Sequence, residues 1–146
     1  MIMKKVLFSL SLSLILFSCK LENNPNKGSE CSENQKIEII NSILNVQNIN
    51  SYLHLELTER HPIKLIKSDF TENLESFNFH NIGKVQIVDS IPWKETNLTL
   101  KILIDSCTQK TGKFIFYSPI ENAEVNGTIT QKDSIWEIEV LHDIEF

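Results

Sequence analysis

Histidine and acidic residues cluster in the middle of the chain, and zinc ligation is the chemistry that they suggest first. His54 and Glu56 are two residues apart, Glu59 and His61 repeat that spacing, and His80 follows. On a strand, residues two apart point to the same side, and imidazole and carboxylate are both zinc ligands. However, the chain contains neither His-Glu-x-x-His nor a close pair of cysteines. The spacing therefore favours solvated surface residues, and the sequence predicts no metal site.

Cys107 and His142 are the residues that could act as a nucleophile and its general base. A catalytic thiol needs such an activating neighbour in space. The alternation of the last segment puts His142 on the face of Trp136 and Val140, which is typical of a histidine in or beside the core. Gly-x-Ser-x-Gly is missing, and the four glycines form no phosphate-binding loop. The sequence therefore predicts no catalytic residue and no cofactor.

The C-terminal segment contains four acidic residues in alternating positions. Glu137, Glu139, Asp143 and Glu145 all fall on one face of a predicted strand. Such a stripe is either a solvated face or a surface that docks a basic protein partner through complementary charge. Trp93, in a Pro-Trp-Lys turn, is the other candidate binding residue, unless its ring folds back on the sheet as a lid.

The N-terminus has the three parts of a secretory signal. Lys4 and Lys5 provide positive charge, and residues 6–17 form a stretch of twelve with nine apolar residues and three serines. That run is too short for a hydrocarbon core, which needs about 20 apolar residues. A basic start, a short apolar run and a small residue before the cut are typical of an export signal.

The residues Leu16-Phe17-Ser18-Cys19 resemble the lipobox of bacterial lipoproteins, although Phe17 stands where that motif usually has a smaller residue. The resemblance implies that residues 1–18 are removed and that the Cys19 sulfur receives a diacylglycerol. Two or more acyl chains hold a protein stably on a membrane. The expected location is therefore the bacterial cell envelope, at the outer membrane. Residues 19–31, rich in polar residues with one proline and one glycine, would form the tether.

Charge and cysteine count limit the partners of the exported chain. The formal charge is −5, and removing the signal with its two lysines makes it −7. Nucleic acid is not an expected partner, because its binding depends on Lys and Arg neutralising phosphates. Once Cys19 is acylated, Cys31 and Cys107 remain. In an oxidising compartment they either form a disulfide or stay as two independent thiols.

The folded domain is predicted to span residues 32–146 and to begin with helices. Ser32 and Gln35 have the spacing of a capping box, and apolar residues then recur at helical spacing, which predicts a helix over 33–47. Residues 52–58 alternate and suggest a strand, although a helix over 50–60 is also possible. A second cap near Asp69 and apolar residues at i, i+4 and i+7 predict a short helix over 69–78.

From residue 84 onward the pattern has the period of strands. Apolar residues alternate near 85–91, 98–104, 113–117 and 125–129, and residues 131–134 form a turn. The last strand has the strongest alternation; its apolar face is Trp136, Ile138, Val140, Ile144 and Phe146. These elements predict an α+β domain, in which an N-terminal helix and a short second helix pack on a curved antiparallel sheet of four or five strands. This order is similar to the NTF2-like and cystatin-like architectures.

Three functions are compatible with these features. The first is a non-enzymatic binding or accessory lipoprotein that uses the acidic or concave face of the sheet. The second is an immunity-type inhibitor of a secreted toxin or hydrolase. The third is a small NTF2-like enzyme with a pocket on the concave face, which would require Asp89 and His142 to converge there.

Overall fold

The computed structural model describes residues 31–80, 83–89, 96–104 and 107–146, and these residues form an α+β fold. The predicted signal peptide, Cys19, nearly all of the tether, and Trp93 lie outside the described residues. Two α-helices precede a seven-stranded mixed sheet. None of the helices within the described ranges is long and apolar enough to cross a membrane.

The first helix, α1 (Glu33–Leu44), begins at the predicted capping box. The hydroxyl of Ser32 accepts a hydrogen bond from the Gln35 backbone, and the Gln35 side chain accepts one from the Ser32 backbone. The helix ends at Leu44 rather than at 47, because Val46 adopts an extended conformation. A separate helix, α2 (Gln47–Leu53), follows directly and ends at His54, which has a left-handed φ of 47°.

Two predictions for the next segment are wrong. The strand expected over 52–58 does not form, because Leu53 lies in the last turn of α2 and the chain then continues into a short 3₁₀ helix, Thr58–Arg60. The helix expected over 69–78 is only the 3₁₀ helix Asp69–Thr71, followed by a strand, Ser76–Phe79. In that strand the buried residues are Phe77 and Phe79, so burial follows the two-residue period of a strand and not the helical spacing.

The sheet has seven strands and not the four or five that the sequence predicts. In chain order they are β1 (Ile63–Ile66), β2 (Ser76–Phe79), β3 (Gly83–Val88), β4 (Asn97–Leu103), β5 (Thr111–Ser118), β6 (Ala123–Lys132) and β7 (Ile135–Glu145). Their order across the sheet is β2-β3-β1-β4-β5-β6-β7. The sheet is mixed and not antiparallel throughout, because β1 inserts between β3 and β4 and runs parallel to both. Strands β4 to β7 form the antiparallel meander that the alternation predicts.

The core lies between α1 and the inner face of the meander. The buried residues of α1 are Ile39, Ile40, Ile43 and Leu44. They belong to one apolar cluster with inward residues of the sheet, among them Leu100, Phe114, Phe116, Val125, Ile129 and Trp136. The prediction that Trp136 is a core residue is therefore confirmed, since only 5% of it is exposed.

A β-bulge in β7 changes which side chains point inward. Gly127 of β6 pairs with Val140, but its neighbour Asn126 pairs with His142, so Leu141 is an extra residue. Cross-strand partners share a face of the sheet, and the alternation is therefore reversed after the bulge. Ile144 and Phe146, expected in the core, are 43% and 72% exposed.

Gly127 makes this bulge possible. A Cβ atom at this position would lie 2.1 Å from the backbone oxygen of Glu139 and 2.8 Å from Cε1 of Phe114. Only a residue without a side chain allows β7 to approach so closely. A glycine within a strand frequently marks such a site.

Cys31 and Cys107 are joined by a disulfide, with their Cα atoms 5.0 Å apart. The sequence left this bond and two independent thiols as alternatives. The bond connects the residue before the α1 cap to the segment after β4. It therefore fixes the start of the first helix to the sheet.

Candidate functional site

The meander has an outer face, opposite the core, on which polar and apolar side chains are mixed. Its residues are Thr99, Lys101 and Leu103 of β4, Lys113, Ile115 and Tyr117 of β5, Glu124, Asn126 and Thr128 of β6, and Glu137, Glu139, His142 and Ile144 of β7. Leu103 is 49% exposed, and no described helix covers this face. Its charge is divided: two lysines lie on β4 and β5, whereas one acid lies on β6 and two lie on β7.

Glu137 and Glu139 are the exposed acids of this face. They flank Ile138, which points inward, so their carboxylates lie side by side along β7. The Glu137 carboxylate accepts a hydrogen bond from Lys132 Nζ at 2.5 Å across the β6–β7 turn. This bond, with a smaller contribution from Glu139, raises the pKa of Lys132 above its usual value. Both partners are exposed, so this ion pair contributes little to stability.

Asp143 and Glu145 do not belong to the same stripe, which corrects the prediction of a single acidic face. Because they follow the bulge, they pair with the buried residues Val125 and Ala123 and point to the inner side. The sequence pattern could not show this, since the extra residue reverses the alternation without changing the composition.

Asp143 instead links β7 to α2. Its carboxylate accepts a hydrogen bond from the Tyr52 hydroxyl at 2.9 Å and another from the Asn48 side-chain amide at 2.5 Å. The hydrogen bond to Asp143, then burial and the nearby charges of Asp143, Glu145 and Glu121, raise the pKa of Tyr52 above its usual value. The role of Asp143 in this structure is therefore to position α2.

The histidine cluster of the sequence forms a structural network and not a metal site. His54 Nδ1 lies 2.8 Å from the Glu56 carboxylate, and this hydrogen bond is the main reason that the pKa of Glu56 is lowered. Glu121 receives Arg60 Nη2 at 2.5 Å and lies 3.6 Å from His54 Nε2. Within the described ranges no group of three or more potential ligands is close enough to hold a metal ion.

The remaining histidines of the proposed zinc cluster lie apart from that network. His61 Nε2 lies 2.8 Å from the backbone oxygen of Leu55. His80 is exposed, and its ring contacts the Phe79 ring with 5.2 Å between centroids. Each histidine therefore has a local partner, and Glu59 is an exposed residue of a 3₁₀ helix.

The two catalytic pairs that the sequence suggests, Cys107 with His142 and Asp89 with His142, do not form in the part of the chain that the structure describes. The Cys107 sulfur is bonded to Cys31, so it is no thiolate nucleophile. His142 is exposed and pairs with Asn126 on the outer face. The prediction that it lies on the face of Trp136 is therefore wrong. Asp89 directly follows β3, which β1, β4, β5 and β6 separate from β7. Asp89 and His142 therefore do not share a pocket on the concave face, which is occupied by α1.

A further feature of β7 is its unpaired edge, which sequence reasoning did not find. Among the described strands β7 pairs with β6 alone. The amide of Gln131, an odd-numbered residue of β6, donates to Lys110 on the β5 side, whereas the carbonyl of Asn122, just before β6, accepts from Phe146 on the β7 side. Backbone groups of successive residues in a strand point to opposite sides, so the even-numbered residues of β6 bond to β7. Glu137 and Glu139 pair with these residues, and the backbone groups of Trp136 and Ile138 therefore point to the unpaired edge.

No family model matches the chain, and neither does any curated protein or solved structure.

Proposed function

We propose that the chain is an envelope lipoprotein, anchored through Cys19, whose domain binds a basic protein partner and catalyses no reaction. The observation that supports the binding role best is the position of Glu137 and Glu139. They are exposed neighbours on β7, and β7 is the last strand of the sheet. The formal charge of −7 expected for the mature chain favours the same partner class, because complementary charge speeds association and selects partners.

The anchor is tested separately from the binding role. Replacing Cys19 by alanine should prevent incorporation of labelled palmitate and leave the precursor uncut. If the variant were still labelled, or were processed normally at another site, the proposed anchor would be wrong.

The binding role is tested by crosslinking in living cells. A photoreactive residue at Thr128, which pairs with Glu139 on the outer face, should give one discrete adduct with a basic envelope protein. The same residue at Asn73, in the exposed turn before β2, should not give that adduct.

Two variants with the same change in charge separate a specific surface from general acidity. Glu137→Gln with Glu139→Gln should remove the Thr128 adduct. Glu72→Gln with Glu75→Gln, two exposed acids at the opposite end of the sheet, should leave it intact. If both pairs reduced the adduct equally, the binding surface would not be on β7.

An inhibitor of a secreted toxin or hydrolase is the narrower form of this proposal. The acidic surface of β7 would suit a basic toxin. The identity of the crosslinked protein distinguishes this case from a general accessory role.

A further inference from the structure

We infer that the partner binds as an added β-strand: an extended segment in which basic and apolar residues alternate pairs antiparallel with the unpaired edge of β7, at Ile135–Val140. This inference rests on the proposed function and names the form of the partner. It depends on three observations, namely the unpaired backbone, the two different sides of β7, and the position of the bulge.

The unpaired backbone supplies the binding energy that does not depend on side chains. The amide and carbonyl groups of Trp136 and Ile138 point away from β6 and have no strand partner among the described residues. An edge of this kind is a template for another extended chain. Main-chain hydrogen bonds then provide affinity, and alternate side chains provide specificity.

The two sides of this edge differ in chemistry. On the outer side lie Glu137 and Glu139, both exposed; on the inner side lie Trp136, which is buried, and Ile138, which is half-buried. The segment of β7 that precedes the bulge contains no lysine or arginine. An added strand would therefore place basic residues beside the two carboxylates and apolar residues beside Trp136 and Ile138.

The bulge limits where the strand binds and excludes a second copy of β7 as the occupant. It interrupts the regular edge after Val140, and bulges and edge charges both discourage strand pairing. Two copies of β7 would bring eight acids and no lysine or arginine into one ladder, whereas a basic segment matches the charge of the edge before the bulge.

The experiment compares three peptides binding to the full chain in nonionic detergent at low salt. The first alternates lysine and valine over eight residues. The second has the same sequence with N-methyl groups on two central valines, and the third has them on two central lysines. In an antiparallel pair, the valines opposite Trp136 and Ile138 make the hydrogen bonds to β7, and the lysines do not.

The expected result is that valine methylation weakens binding at least about tenfold, since two hydrogen bonds are lost, and that lysine methylation changes it little. Equal affinity of the three peptides, equal loss in both methylated peptides, or no binding of the first peptide would overturn strand addition. Equal affinity together with loss in the Glu137→Gln/Glu139→Gln variant would leave the acidic surface standing as a site for basic ligands. The proposed function fails separately, in the crosslinking experiment.

Discussion

The disulfide between Cys31 and Cys107 should contribute a large share of the stability of this fold. The two residues are 76 positions apart, and restricting a loop of that length in the unfolded chain is worth about 4.5 kcal/mol in the chain-entropy model. A domain of this size has a total stability of roughly 6–17 kcal/mol. Loss of the bond should therefore lower the urea midpoint strongly.

The perturbation is Cys31→Ala, Cys107→Ala and the double variant, each unfolded in urea without reductant. Because either single change removes the same bond, each should lower the free energy of unfolding by about 4 kcal/mol. The double variant should be only slightly less stable than Cys107→Ala. Cys107 is 7% exposed, so its truncation adds a small packing cost. Additive single effects, or two titratable thiols in the unfolded wild-type chain, would show that Cys31 and Cys107 are not bonded.

Three further predictions concern β7 and its contacts. Trp136→Ala should lower the free energy of unfolding by about 3–5 kcal/mol, because it leaves a cavity in the core. Glu139→Ala, on the exposed face, should lower it by under roughly 0.5 kcal/mol. Equal urea midpoints of the two variants would show that the register of β7 is wrong. Gly127→Ala should lower the free energy of unfolding by about 1–3 kcal/mol, because the new methyl group would clash with the Glu139 carbonyl. An unchanged unfolding curve would show that β7 does not approach Gly127 so closely. Asp143→Asn should lower the pKa of Tyr52 toward its usual value, measured as phenolate absorbance against pH. Because the pKa of Tyr52 is raised in the folded state, the Tyr52–Asp143 bond stabilises the fold below about pH 10 and is lost as the pH rises above it. The difference in stability between wild type and variant should therefore shrink at high pH.

The sequence predicted the elements whose local signals and tertiary packing agree. Ser32 and Gln35 are spaced for a capping box and form one. The alternation over β4, β5, β6 and the first half of β7 matches the burial of these strands. In each strand one face belongs to the buried cluster that includes α1, so the period of two is visible in the residue types.

The errors come from segments where packing overrides a local pattern. Leu53, Leu55 and Leu57 alternate, yet Leu53 is buried at the end of a helix and Leu57 is exposed beyond it. Phe70, Leu74 and Phe77 have helical spacing, yet they are buried from a 3₁₀ turn, a loop and a strand. The strand β1 has only four residues, and its position between β3 and β4 depends on long-range pairing that a single sequence does not show.

The sequence predicts two of the four acidic residues of the candidate site correctly. Glu137 and Glu139 were identified from their alternation and are exposed on β7. Asp143 and Glu145 were placed with them, but the bulge turns them to the inner side. Gly127 was the available signal, since an isolated glycine within an alternating strand often marks a bulge. The unpaired edge of β7 is a property of strand order, which alternation does not determine.

Backbone hydrogen exchange of the full chain with the lysine–valine peptide shows whether a basic partner binds along β7. We expect slower exchange of the Trp136 and Ile138 amides, unchanged exchange in the opposite edge strand β2, and clearly weaker slowing in the Glu137→Gln/Glu139→Gln variant. Slowing in β2 or on the outer face of β5 would contradict binding along β7. Equal slowing of the Trp136 and Ile138 amides in the wild type and the variant would contradict a role for the two carboxylates.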